Sequence, residues 1–230
     1  MDQRIRFFEG VELTPLAIAI SSNNKQGVRW LIRSGADVNK IVGDTDNVSL
    51  EAIDKIISMA EDEYGEGFGV YKRTPLHVAA DHVSLDLEIM RLLIENGANM
   101  DAANNRFQIT PLTAALAMEK STNAKMLIEH GANVNQAYYI DEETLKFFEN
   151  EGLEFSDRTN QTCTPLHLAV TLDYDLVDRM IMAGADVNAP CTEYNFTPFD
   201  FAPVSETDDT YSLIELRLIE AGAVIENYDM

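Results

Sequence analysis

The 230 residues carry 39 Asp and Glu against 17 Lys and Arg, a formal net charge of −22 that disfavours nucleic acid and anionic membrane surfaces as partners. No apolar run approaches the length of a membrane span, and the first dozen residues, with Arg4, Arg6, Glu9 and Glu12, do not read as a leader peptide. Two cysteines, Cys163 and Cys191, are too few for a disulfide framework and read as reduced thiols of an intracellular, cytoplasmic chain, with delivery into another cell by a leaderless route left open.

The first 35 residues predict a pair of short helices. Thr14 is a good N-cap, and Pro15 suits the first helical position, where its missing N–H costs nothing. Phe7 and Phe8 are expected to cover one end of a stack, and Trp30, beside Leu31, to pack inside it. The pair closes at Leu31-Ile32 followed by Gly35-Ala36, where glycine can take the left-handed conformation that ends a helix.

Both signals return four times. Thr74-Pro75 precedes Leu93-Ile94 and Gly97-Ala98; Thr110-Pro111 precedes Leu127-Ile128 and Gly131-Ala132. Thr164-Pro165 precedes Met180-Ile181 and Gly184-Ala185, and Thr197-Pro198 precedes Leu218-Ile219 and Gly222-Ala223. Threonine to glycine spans 21, 23, 21, 20 and 25 residues (35−14, 97−74, 131−110, 184−164, 222−197), a helix-turn-helix length each time. In the most regular copy, the Thr164 hydroxyl is expected to accept the N–H of His167. There Leu166, Ala169 and Val170 make a lightly apolar first helix, and Leu176, Val177, Met180 and Ile181 a stronger second one. Ala185-Asp186-Val187-Asn188 reads as a polar exit. One such pair cannot bury its apolar faces alone and requires stacked neighbours.

Two connectors are overlong. Residues 40–73 hold a helical pattern with Leu50, Ile53, Ile56, Ile57 and Ala60 on one face, then a return through GEGFG at 65–69. Those glycines lack the lysine of a phosphate-binding loop and carry Glu66 among them. Residues 136–163 place Asp141, Glu142 and Glu143 at a helix start, where negative charge suits the dipole, ahead of Leu145, Phe147 and Phe148. Both insertions are expected to leave the array on one edge and to pack back onto it, since large exposed apolar patches are uncommon.

TPLHVAA at 74–80 and TPLHLAV at 164–170 resemble the T-P-L-H-x-A signature of ankyrin repeat proteins, whose unit is about 33 residues. The steps 197−164 = 33 and 110−74 = 36 agree with that unit. The resemblance implies an all-α repeat solenoid, an ankyrin-type helix-turn-helix array with short β-hairpin connectors and two helical insertions, right-handed and slightly curved. It implies a single repeat domain across 1–230, with repeats near 12–39, 74–101, 110–135, 164–190 and 197–226. Ile18-Ala19-Ile20, Thr113, Asp200 and Glu215 depart from the regular pattern, mostly toward the ends, where capping repeats are expected to show a polar outer face.

The resemblance also implies a non-catalytic protein-binding module and a monomer. Family positions carried onto this chain give Tyr71, Arg73, Asp81, His82, Arg106, Phe107, Ile109, Met118, Tyr194 and Phe196 as partner-binding residues, with the aromatics the stronger anchors. Acidic charge concentrates in the insertions (−4 for 40–73, −5 for 136–163) and in residues 191–230 (−8). A second reading is therefore an acidic stoichiometric inhibitor or neutraliser of a basic protein, of bacterial effector or immunity type. An enzyme is the least supported class. Cys163 and His167 form no nucleophile-base pair, because the resemblance gives His167 a hydrogen-bonding role between repeats and no orienting group is visible. His77 carries the same structural role; His82 and His130 have no ligand partner at metal spacing, so no cofactor or metal is expected.

Overall fold

The computed structural model describes residues 5–8, 11–41, 73–82, 86–103, 107–140, 156, 161–203 and 212–225. The helical patterns expected within 48–60 and 141–155 lie outside these residues. Backbone contacts divide the chain into two compact units, Met1–Arg106 and Phe107–Met230.

The first unit opens with an antiparallel hairpin rather than with helix. Strand β1 (Ile5–Phe8) pairs with β2 (Val11–Leu13), setting Ile5 opposite Leu13 and Arg6 opposite Glu12. The branched and aromatic residues of Ile5–Phe8 and Val11–Leu13 favour strand over helix. The cover expected of Phe7 and Phe8 lies outside the described side chains. Helices α1 (Pro15–Ser21) and α2 (Lys25–Arg33) follow, then α3 (Pro75–Ala80) and α4 (Leu87–Glu95). Thr14 Oγ1 accepts the Ala17 N–H at 3.1 Å and Thr74 Oγ1 the His77 N–H at 3.4 Å, each with proline in the first turn. Helix α1 packs on α2 and α3, and α2 packs on α4. Ala17, Ala79 and Ala80 are buried among Leu16, Ile20, Val28, Leu76, Ile89, Met90 and Leu93, small residues that let backbones approach. Trp30 does not pack inside this stack: it is 58% exposed on α2 while Val28 faces inward.

The second unit contains α5 (Pro111–Ala117), α6 (Ser121–Glu129), β3 (Tyr138–Tyr139), β4 (Thr162–Cys163), α7 (Pro165–Ala169), α8 (Tyr174–Met182) and α9 (Leu213–Glu220). Strands β3 and β4 pair antiparallel, so the second insertion leaves and returns through a two-residue ladder. Where the last copy should begin with an α-helix it has a single 3-10 turn, Pro198–Phe201. Pro203 is the cause: it pushes Ala202 to an extended ψ of 140° and ends the helix. Asp200 takes the place of the signature histidine, its carboxylate accepting the Thr197 N–H at 2.6 Å and hydroxyl at 2.9 Å.

The polar exits prove to be clamps. Asn39 Nδ2 donates to the Gly97 carbonyl at 2.9 Å while its Oδ1 accepts the Asn99 N–H at 2.7 Å. Asn135 does the same to Gly184 and Asp186, both at 2.8 Å, and Asn188 to Gly222 at 3.0 Å and Val224 at 2.8 Å. Ion pairs join successive second helices: Lys25 to Asp86 (2.7 Å), Arg29 to Glu88 (3.0 Å), Lys125 to Asp175 (2.8 Å), Arg179 to Glu129 (2.5 Å) and Arg217 to Asp178 (2.7 Å).

Two expectations about the second unit are corrected. Cys163 and Cys191 are joined in a disulfide, their Cα atoms 4.4 Å apart, because each sits on the hairpin that flanks one end of the same repeat. Among the described residues of the last repeat, the outer face is not polar throughout. Glu215 is buried as part of a cap, accepting the Ser212 N–H at 2.5 Å, while Leu213 and Leu216 point outward. Among the described residues no helix is long and apolar enough to cross a membrane.

Candidate protein interface

Eight of the ten positions carried over from the family are described, three in the first unit and five in the second. Tyr71 and Arg106 lie outside the described residues. Arg73, Asp81 and His82 belong to the first unit, and all three engage other groups of the chain. Arg73 forms an ion pair with Asp81 and donates to the His77 carbonyl at 3.1 Å. Burial pushes the Asp81 carboxyl above its ordinary value against the opposing pull of the Arg73 guanidinium. The His82 imidazole lies 3.1 Å from the Ser21 carbonyl through Nε2, which must donate there.

Phe107, Ile109, Met118, Tyr194 and Phe196 belong to the second unit and are each half-buried. Met118 caps the C-terminus of α5. The others lie on a run of main-chain hydrogen bonds built from successive hairpins. The Phe107 carbonyl accepts from Tyr139 (2.8 Å), β3 pairs with β4, and the Thr162 carbonyl accepts from Thr192 (3.1 Å). Cys191 pairs with Phe196, its N–H reaching the Phe196 carbonyl at 2.6 Å. Beneath this ledge Tyr138, Ile140, Cys163 and Cys191 are buried together, with Ile109, Leu168, Phe196 and Phe201 packed against them. Tyr194 stacks on Phe196 at 5.9 Å between ring centroids, and Phe196 meets Phe201 edge-on at 6.2 Å.

His167 fixes the ledge from below. Its Nδ1 accepts the Thr164 N–H at 3.2 Å and lies 3.0 Å from the Thr164 hydroxyl, leaving Nε2–H to donate to the Phe196 carbonyl at 3.2 Å. Thr164 and His167 form a capping box, the Thr164 side chain facing the His167 N–H and the imidazole facing the Thr164 N–H, and the His167 N–H also lies 3.1 Å from the Thr164 carbonyl. Burial pushes the imidazole below its ordinary value, which favours this neutral tautomer. Phe201 closes on the ring edge-on at 5.5 Å.

Tyr138, Tyr139, Gln161 and Phe201 are ledge residues that the carried-over positions omit. Gln161, itself buried, accepts the Glu193 N–H at 2.8 Å, and Ser156 donates to the Glu193 carboxylate through its N–H at 2.6 Å and also through its hydroxyl. The apolar Tyr138-Tyr139-Ile140 run beside the return at Thr162-Cys163 was the available signal for the first two. Among the described residues, no three His, Cys, Asp or Glu side chains gather so as to hold a metal ion.

Comparison with known proteins agrees with this architecture. A family model described as ankyrin repeats (3 copies) matches residues 46–138, and one for a single ankyrin repeat matches 12–42 and 162–192. A putative ankyrin repeat protein of Rickettsia bellii is 29% identical over 117 residues, covering 50% of this chain and 46% of that protein. A putative ankyrin repeat protein of Acanthamoeba polyphaga mimivirus is 23% identical over 140 residues, 55% of this chain and 44% of its own length. Alpha-latrocrustotoxin of Latrodectus tredecimguttatus is 27% identical over 129 residues, 50% of this chain and 9% of the toxin. The chain spans less than half the length of each of these relatives.

Proposed function

Because the chain belongs to the ankyrin repeat family, a family of protein-interaction modules, we propose that it is a monomeric, non-catalytic binding module whose partner is another protein. The observation that carries this reading is the hairpin ledge of the second unit. Its backbone is held by cross-hairpin hydrogen bonds, the disulfide and His167, while Tyr194, Phe196, Ile109 and Phe107 remain half-buried upon it. A surface already ordered loses little entropy on binding, and aromatic side chains give the most contact area for the fewest rotatable bonds. The test is capture from lysate by the parent and by a Phe107→Ala, Tyr194→Ala double variant with matched circular dichroism. Proteins retained only by the parent support the ledge; identical retention removes it as the site.

The acidic-neutraliser reading rests on a separate observation. The sequence carries 22 more acidic than basic side chains, and six of its 17 Lys and Arg, Lys25, Arg29, Arg73, Lys125, Arg179 and Arg217, are engaged in ion pairs within the chain. A basic partner would be steered to such a field, and its association would weaken steeply as salt shortens the Debye length from about 10 Å at 0.1 M to about 3 Å at 1 M. Elution of captured proteins that ignores salt, or captured proteins that are not basic, would reduce the charge to a matter of solubility.

A further inference from the structure

The turn from Thr192 to Asn195, between Cys191 and Phe196, holds two residues in the left-handed region, Thr192 with φ +63° and Asn195 with φ +58°. Asparagine takes that conformation readily and threonine does not, because a branched Cβ crowds the main chain there. The other non-glycine residues with positive φ among the described residues are Asn23, Gln108 and Glu119, none of them β-branched. A residue held this way persists only where its surroundings over-determine it. Here several ties run from the turn to β4 and its neighbours. The Thr192 N–H reaches the Thr162 carbonyl at 3.1 Å, the Glu193 N–H reaches Gln161 Oε1 at 2.8 Å, and the Glu193 carboxylate accepts the Ser156 N–H at 2.6 Å. Cys191 is bonded to Cys163, the residue after Thr162.

Thr192 is half-buried and Glu193 exposed, so water competes for the hydrogen bonds they make. The disulfide is the tie that water cannot replace. Tyr194 lies inside the turn and stacks on Phe196 at its end, so a change of φ at Thr192 re-aims one ring against the other. Cys163 is 4% exposed and Cys191 0%, so a thiolate reaches either sulfur only while the turn is lifted from β4. Strain at Thr192 favours that lifting. Resting on the reading of the ledge as the binding surface, we propose that the Cys163–Cys191 disulfide is a redox switch upon it. Oxidised, it holds Tyr194 and Phe196 in place; reduced, it lets Thr192 leave the left-handed region, and the two rings lose their common seat. The reductant is a dithiol. Its thiolate attacks one sulfur, forming a mixed disulfide and releasing the other cysteine as a thiolate, which takes up a proton. The second thiol of the reductant then attacks the mixed disulfide and leaves as part of a cyclic disulfide, so two electrons and two protons pass to the cysteine pair.

The test begins with amide hydrogen exchange of the full chain, oxidised and after treatment with dithiothreitol. On reduction, exchange at Cys191, Thr192 and Glu193 should rise about tenfold more than exchange in α5 and α6 of the same unit. An equal rise throughout the unit, or no rise, would make the disulfide a plain brace and overturn the proposal. Thr192→Asn suits the left-handed region and keeps a side-chain acceptor for the Tyr194 N–H, which Thr192 Oγ1 accepts at 3.3 Å. Alkylation-quenched mass spectrometry should find the disulfide of that variant reduced about fivefold more slowly than the parent's. Reduction as fast as the parent's, or faster, would also overturn the proposal. These measurements need no partner, so their failure leaves the ledge standing as a binding surface, whereas identical retention of lysate proteins by the oxidised parent and the Phe107→Ala, Tyr194→Ala variant removes both. Proteins that distinguish those two should be lost by a Cys163→Ser, Cys191→Ser variant; their retention would show a ledge that binds in either state, and no switch.

Discussion

Asn135→Ala removes one clamp and nothing else that is buried. The side chain makes two hydrogen bonds of 2.8 Å, one to the Gly184 carbonyl and one from the Asp186 N–H. A typical net contribution is about 1 kcal/mol per bond, and both bonds lie at exposed positions where water replaces the lost partner, so the expected cost is about 1–2 kcal/mol. In a chain of this size that corresponds to a fall in melting temperature of about 2–8 °C. Asn135→Asp sharpens the test. It keeps the acceptor for Asp186 but loses the N–H donor and sets a carboxylate against the Gly184 carbonyl, so it should be no more stable than the alanine variant. Thermal and urea unfolding followed by circular dichroism read both changes. Parent-like stability in both variants would show that the asparagines are only turn formers, each bonded within its own loop as Asn135 N–H is to Asn133 at 2.9 Å.

Reduction of the Cys163–Cys191 disulfide, or Cys163→Ser with Cys191→Ser, should lower the stability of the second unit by up to about 3.5 kcal/mol, from closure of a loop of 28 residues; unfolding with and without a dithiol measures it. For His167, burial lowers the folded-state value below the ordinary 6.5, so the folded state binds the proton less readily than the unfolded state. Its contribution is therefore fully present above pH 6.5 and is lost as pH falls below it. The carboxylates Asp173 and Asp175 sit lower still, below the ordinary 3.8, and leave this window clear. His167→Gln should flatten the stability profile between about pH 6.5 and 5 in denaturation midpoints taken across that range. Gly97→Ala should cost about 1 kcal/mol and Gly97→Val more, because φ is +83° while an added Cβ meets nothing within 4 Å, so the cost is backbone strain alone; urea midpoints distinguish the two.

The helix boundaries were legible because caps are local. Thr-Pro and Gly-Ala act within four residues of themselves, so Thr14, Thr74 and Thr110 open helices, and Gly35, Gly97 and Gly184 adopt positive φ, without reference to anything distant. What was not legible depends on stacking. Asn135 and Asn188 look like loop residues in isolation, and only the seating of the next repeat puts a glycine carbonyl and an N–H within their reach. Cys163 and Cys191 look like two thiols 28 residues apart until the hairpins on either side of α7 and α8 are laid against each other. Pro203 was a visible signal, and a regular count of five helix pairs overrides it. The opening hairpin was missed because Phe7, Phe8 and Leu13 fit a helical cover as readily as a strand, a familiar ambiguity of short apolar runs.

The candidate interface divides along the same line. Family positions select residues by their place in the repeat, and place does not say whether a side chain has work inside the chain. Arg73 and Asp81 are two of the positions carried over from the family, yet their charges meet each other and Arg73 the α3 backbone, so a partner drawing on either would have to break a half-buried ion pair first. Tyr194 and Phe196 stand three residues and one residue before the Thr197 cap (197−194, 197−196), their rings stacked on each other and Phe196 edge-on to Phe201. Arg73 and Asp81 are tied to each other, whereas the ledge aromatics are held in ring contacts, which is why Tyr194 and Phe196, rather than Arg73 or Asp81, are the positions where binding and stability should come apart.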